Sequence, residues 1–143
     1  MDYYAKALGL VCDALTISAW KQGEQDSNVR PEINLYIHRN NVKLPLACLS
    51  EGERQRVDLA CFFSLSSAAE QISGVSLGLR ILDEPLTGMD ADGREKCFHF
   101  ITEAGRNLQI FIIDHNASFQ NLFGGSLVVK KGENSYSTIG KIQ

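Results

Sequence analysis

Two hydrophobic periods divide the first half of the chain. Tyr4, Leu8, Val11, Leu15 and Ser18 or Ala19 recur at alternating spacings of four and three, which places them on one stripe of a helix. The spacing predicts a helix over the first twenty residues. Its seam is heptad-like, as at the end of a coiled coil or on an amphipathic helix packed against a core. Lys21 to Pro31, rich in Gln, Gly, Asp, Ser and Asn, reads as a loop. From Glu32 the period becomes two: Ile33, Leu35 and Ile37 alternate with Asn34, Tyr36 and His38. Arg39-Asn40-Asn41 then turns the chain, and Val42, Leu44 and Leu46 alternate again, which predicts a β-hairpin with His38 on its solvent face. Ser50 precedes Glu53 by three, a capping-box spacing that opens a helix to about Glu70, and Ser66 to Gly78 is small and polar enough to connect onward.

The second half alternates strands and helices. The apolar run Leu79 to Leu82, with Arg80 inside it, ends in Asp83-Glu84-Pro85. A helical segment follows from about Ala91 to Arg106, then a second apolar strand, Gln109 to Ile113, ending in Asp114-His115. Strand, helix and strand with little polar alternation predict parallel strands buried on both faces, an α/β class. A short helix around Ala117 to Phe123 is expected next. Two further strands, Ser126 to Lys130 and Ser135 to Ile139, flank a Lys131-Gly132-Glu133-Asn134 turn. Phe62, Phe63, Phe98, Phe100 and Phe111 read as core.

Composition narrows the setting. Leu, Ile, Val and Phe make up 41 of the 143 residues, enough for a packed core, and the length favours a single domain. Fourteen basic against 17 acidic side chains give a formal charge of −3, without the global footprint of a nucleic-acid or membrane surface. Cys12, Cys48, Cys61 and Cys97 form no C-x-x-C pair and no compact zinc cluster, so reduced thiols in a cytoplasmic protein are expected. Neither a secretory signal nor a membrane span fits the sequence.

Three places carry candidate chemistry. The strand ending at Asp83-Glu84 delivers adjacent carboxylates to its C-terminal end, the edge where open α/β sheets bind ligands. Such a pair suits phosphoryl transfer, with Asp83 holding Mg²⁺ through water and Glu84 activating the attacking water. Alternatively, it is a solvated loop start or helix cap. Leu49-Ser50-Glu51-Gly52-Glu53 opens a helix with a hydroxyl and an early glycine, where backbone N–H groups and the helix dipole attract anions; a well-capped helix is the plainer account. His115 follows the second strand and therefore falls near the same sheet edge as Glu84.

In this order, these segments resemble the ABC-ATPase family. Leu49 to Glu53 is similar to its signature, Leu79 to Glu84 to its Walker B strand, Leu86-Thr87-Gly88-Met89-Asp90 to its D-loop, and Ile112-Ile113-Asp114-His115-Asn116 to its switch-histidine loop. The resemblance spans about Leu49 to Ile139. Glu53-Arg54-Gln55-Arg56-Val57-Asp58-Leu59-Ala60 most resembles the DNA-repair branch, the SMC-type ATPase subunits of recombination exonucleases in bacteriophages and bacteria. The implied fold is the C-terminal half of a P-loop NTPase head of ABC type, with parallel strands, flanking helices and edge hairpins. The implied domains are residues 1–31, a helix from the base of a coiled coil plus a loop, and residues 32–143, the C-terminal lobe.

The resemblance also implies a composite ATP and Mg²⁺ site. Ser50, Gly52 and Glu53 of the signature would face the nucleotide of an opposing head, while Glu84 would be the general base and Asp83 the Mg²⁺ partner. His115 would sense the γ-phosphate, and Asp90 would contact the second head of a homodimer. Implied partners are an N-terminal Walker A lobe, a nuclease subunit and DNA, with no membrane. The sequence contains no G-x-x-x-x-G-K-[ST], so the phosphate cradle is expected on another lobe, and the sheet is expected to lack strands and to keep an apolar flank for that lobe. Glu51 stands where the family signature has glycine, placing a carboxylate near the phosphate position unless it turns away or is compensated by Arg54 or Arg56. Rival readings are a transporter nucleotide-binding domain and a non-catalytic docking lobe.

Overall fold

The computed structural model describes residues 1–22, 29–116, 123, 125–132 and 136–142. The N-terminal helix is far shorter than its spacing predicts. A helix α1 covers only Asp2–Ala7, and strand β1 runs over Ala14–Gln22. Gly9, at φ 71°, takes the left-handed conformation that stops a helix. Beyond it Leu15-Thr16-Ile17-Ser18 alternates with the period of a strand, and Leu15 satisfied both patterns at once. Asp2 Oδ1 accepts the Leu15 N–H at 2.9 Å, which ties α1 to the start of the strand.

Strands β2 (Val29–Arg39) and β3 (Val42–Pro45) complete an antiparallel sheet in the order β1-β2-β3. The boundary expected between residues 31 and 32 therefore falls inside β2, and the predicted loop at Lys21 to Pro31 is strand at both ends. Asn40 and Asn41 both have positive φ, 53° and 62°, which suits a two-residue hairpin connection whose hand follows the strand twist. On the solvent face the Thr16 hydroxyl and His38 Nε2 lie 2.9 Å apart. Leu46 leaves the strand for a 3₁₀ turn, Leu46–Cys48.

Helix α2, Glu51–Ser73, is longer than its pattern indicated and stops at Gly74, whose φ of 69° forms a left-handed cap. Strands β4 (Leu79–Asp83) and β5 (Gln109–Ile113) pair in parallel around helix α3, Ala91–Ala104. Strands β6 (Ser126–Lys131) and β7 (Ser137–Ile142) form a separate antiparallel ribbon. The helix expected at Ala117 to Phe123 lies outside the described residues apart from Phe123.

The core joins the three described α-helices. Tyr4, Phe63 and Phe100 bring α1, α2 and α3 together in one aromatic group, with centroids 4.9 to 6.2 Å apart. Ala5, Leu8, Leu15, Ile37, Val57, Leu82, Cys97 and Ile101 are buried around it. The β4–β5 sheet corrects the expectation of burial on both faces. Arg80 and Leu82 are 7% and 6% exposed, whereas Leu79, Ile81, Phe111 and Ile113 are 46%, 58%, 46% and 57% exposed. One face packs on the chain's own core, while the other presents apolar side chains to the outside; Phe111 on that face, and Phe62 on α2, are exposed rather than the core residues they were expected to be. Beside that face, an apolar groove of about 420 Å³ runs between α2 and β4 past Phe62, Ala69, Leu77 and Leu79. At its floor Arg80 pairs with Glu70 at 2.6 Å.

Candidate functional site

Parallel pairing places Glu84 and His115 side by side. The Glu84 N–H donates to the Ile113 carbonyl at 2.8 Å, extending the β4–β5 ladder by one residue. The chain then turns sharply: Glu84 has φ 46°, and its carbonyl accepts the Thr87 N–H at 3.2 Å. This conformation aims the carboxylate at the loop after β5, where Glu84 Oε1 lies 3.0 Å from His115 Nδ1. The Thr87 hydroxyl donates to Glu84 Oε2 at 3.4 Å. Both members of the Glu84–His115 pair are exposed, so a reacting molecule can reach them. Asp83 is exposed at the last position of β4.

The first turn of α2 lies against the same loop. Ser50 caps the helix reciprocally: Glu53 N–H donates to Ser50 Oγ at 3.2 Å, and Ser50 N–H donates to Glu53 Oε2 at 3.0 Å. Glu53 Oε1 accepts from Arg39 at 2.7 Å. That guanidinium, with the Ser50 N–H behind it, holds the Glu53 carboxyl below the usual glutamate range. Both Glu53 oxygens are thus occupied within the chain, so Glu53 shapes the helix end rather than presenting a free carboxylate. Arg39 also explains an acidic residue at this position.

Gly52 and Glu51 meet the loop at Gly88. A Cβ added to Gly52 would stand 2.8 Å from the Gly88 carbonyl oxygen, so close approach of two backbones requires glycine there. A Cβ on Gly88, which has φ 71°, would meet Glu51 Cγ at 2.7 Å. The Glu51 side chain therefore lies across Gly88, which answers how a carboxylate is accommodated in this segment. Arg56 is engaged elsewhere, donating to the carbonyls of Gly52 and Gly9, each at 3.2 Å.

Asp90 caps α3, its Oδ1 accepting the Gly93 N–H at 2.9 Å. Asp114 Oδ1 accepts the Asn116 N–H at 2.7 Å and so organises the loop that carries His115. Between the two loops a cleft of about 190 Å³ is lined by Thr87, Gly88, Arg94, Asp114 and His115 among others. Ser50, Gly52, Glu84 and His115 are therefore linked through one loop system, with Asp83 and Asp90 at its ends. Thr87 belongs to the loop its motif indicated, whereas Arg94 and Gln55 join the site with no motif pointing to them. Gln55 Nε2 donates to the Glu84 carbonyl at 3.1 Å across 29 residues of sequence, a distance at which no local pattern carries a signal.

Among the described residues no three His, Cys, Asp or Glu side chains cluster tightly enough to hold a metal by themselves. A lone carboxylate such as Asp83 fits a hydrated cation completed by phosphate oxygens. The four cysteines are free thiols; burial raises those of Cys12 and Cys61 and pushes Cys97 up to about 11. Among the described residues no helix is long and apolar enough to cross a membrane.

Comparison with known proteins gives the class. The fold is that of an SMC head. The chain superposes on the SMC head of Thermotoga maritima with a TM-score of 0.59 and 20% identity, over 99% of this chain and 46% of that one. On an SMC head bound to the C-winged helix domain of ScpA the TM-score is 0.67 at 13% identity, over 99% of this chain and 40% of that one. A chain from a study of ATP-driven dimerization and DNA-stimulated activation of SMC ATPases gives 0.64 at 12%, over 96% and 80%. No family model matches the sequence.

The chain's sequence relatives are phage proteins. It is 37% identical over 86 residues to exonuclease subunit 2 of Enterobacteria phage T4, a match covering 59% of this chain and 15% of that protein. Exonuclease subunit 2 of Escherichia phage RB69 is 30% identical over 94 residues, covering 65% and 16%. The chain thus corresponds to about a sixth of these relatives' length.

Proposed function

We propose that this chain is the C-terminal lobe of an ATP-binding and hydrolysing SMC-like head, which regulates a partner exonuclease acting on DNA ends in repair or recombination. The observation that carries this reading is the Glu84–His115 pair at the C-terminal edge of two parallel strands, with the first turn of α2 resting on the adjoining loop. In this reading Glu84 is the general base that orients and deprotonates the attacking water, and His115 holds its carboxylate and meets the terminal phosphate. Asp83 holds Mg²⁺, which when bound offsets phosphate charge.

Ser50 and the N–H groups of the first α2 turn face the nucleotide of a second head. The Glu53 N–H is already taken by Ser50 Oγ, which leaves the N–H groups of Glu51 and Gly52 without an acceptor in the helix ladder, so an anion there is attracted while the phosphate is present and released after hydrolysis. Asp90, at the far end of the loop, lies toward that second head. Glu51, folded over Gly88, leaves room for this contact. The exposed apolar face of β4 and β5 receives the N-terminal lobe that supplies Walker A, consistent with a chain spanning only a fraction of its relatives. The names of those relatives favour a nuclease-associated ATPase over a transporter domain.

Glu84→Gln in the complete head tests the assignment. ATP-dependent dimerisation persists and turnover falls at least about a hundredfold if Glu84 is the base. Unchanged turnover removes it from that role.

A further inference from the structure

Glu84 occupies a backbone conformation that side-chain-bearing residues rarely adopt, so something must hold it there. Its N–H is fixed by β5 through Ile113 and its side chain by His115 and Thr87. Its carbonyl accepts two donors: Thr87 N–H at 3.2 Å, which closes the local turn, and Gln55 Nε2 at 3.1 Å, which comes from α2. Only the NH₂ end of the amide can pair with a carbonyl, so the orientation of Gln55 is set by its partner. Gln55 lies one turn beyond Glu51 and Gly52, on the side of α2 that rests on Gly88. The helix and the loop bearing Glu84 are therefore joined by a tight backbone contact at one end and a directional hydrogen bond at the other.

We propose that Gln55 is a positioning residue that transmits the seating of α2 to the carboxylate of Glu84. The inference rests on the assignment of Glu84 as base. Its consequence is specific to a dimer of heads. The N-terminus of α2 faces the nucleotide of one site, while Glu84 of the same chain serves the other. A shift of α2 as it engages one phosphate pulls on the Glu84 carbonyl and re-aims the base of the opposite site. Gln55 thereby makes turnover at one site depend on occupancy of its neighbour. Because the Thr87 N–H still closes the turn when Gln55 is removed, the loop stays folded while the base loses its alignment.

Mixed dimers of the complete head, assembled from differently tagged copies, test this. One head carries Glu84→Gln, leaving a single active base in the other. Gln55→Met placed in the head with intact Glu84 lowers kcat about tenfold, with KM for ATP changed less than about twofold. The same substitution in the Glu84→Gln head leaves kcat within about twofold of its parent, because that helix only contacts phosphate from across the interface. Gln55→Lys, which keeps an N–H donor on a long stem, restores kcat in the first arrangement to within about threefold. Loss confined to the Glu84→Gln head, equal loss in both arrangements, a rise in KM alone, or no loss in either overturns the proposal. If Glu84→Gln in both heads leaves turnover unchanged, the base assignment fails and this inference falls with it. If that double variant is silent while Gln55→Met has full kcat, only the role of Gln55 is lost.

Discussion

The two faces of the β4–β5 sheet are made of the same kinds of residue and have opposite fates. Leu82 packs into a core closed by α1, α2 and α3, and Arg80 is buried on the same side against Glu70, whereas Leu79, Ile81, Phe111 and Ile113 lie a third or more exposed. The outer face is polar only at its ends, Gln109 and Asp83, and the charged residue within the run, Arg80, lies on the closed side, so the strands read as buried on both sides. The described residues thus cover one side of the sheet and leave the other side open. The Glu84–His115 pair sits at the edge between the finished side and the unfinished one.

That contrast can be broken most strongly from within. Leu82→Ala removes packing from the closed face and lowers unfolding free energy by about 2–5 kcal/mol, measured by denaturant titration. Ile81→Ala, its neighbour on the open face, changes the same quantity by less than about 0.5 kcal/mol but weakens association with a Walker A lobe. Similar losses from both would mean that the open face is already covered in solution. Gly52→Ala has an intermediate effect. Its methyl group meets the Gly88 carbonyl, a backbone atom that cannot step aside alone, and costs about 1–3 kcal/mol of stability.

The smallest effect is electrostatic. Arg39 depresses the Glu53 carboxyl, so the pair's contribution is fully present above the ordinary glutamate value near about 4.3 and is lost as pH falls through the lowered folded value. Thermal unfolding followed from neutral pH downward therefore shows a steeper acid limb in the native protein than in Glu53→Gln. Identical limbs would place the Arg39 contact outside the stability of the closed side.

Much of this was legible from local chemistry. The capping box at Ser50 and Glu53, the Asn40-Asn41 turn and the two strands ending in Asp83-Glu84 and Asp114-His115 all rest on short-range rules that tertiary packing reinforced. The N-terminal strand was hidden because Leu15 fits a helical stripe and a two-residue alternation equally well, and Gly9 was the breaker that decided between them. The strand residues alone do not show which face is open, because burial depends on what stands opposite a strand; it is the missing phosphate-binding motif that foretold an apolar flank. The partners of Glu84 divide in the same way. Parallel strands foretold that His115 would be near, whereas Gln55 reaches the Glu84 carbonyl only because Gly52 lets α2 descend onto the loop.

The β6–β7 ribbon has a consequence for the order in which the molecule comes apart. Among the described residues β6 and β7 pair only with each other; such a pair is marginal in water, and Leu127, Val129 and Ile139 on it gain little from burial. Its amide hydrogens should exchange with solvent through local opening, well ahead of those in α2, which are released only by global unfolding. The lobe is then a graded assembly rather than one cooperative unit: a durable kernel of helices and β4 with a ribbon that zips and unzips at its margin. Closure of the open sheet face would raise the protection of β4 and β5, so the exchange pattern itself would report when that face has been covered.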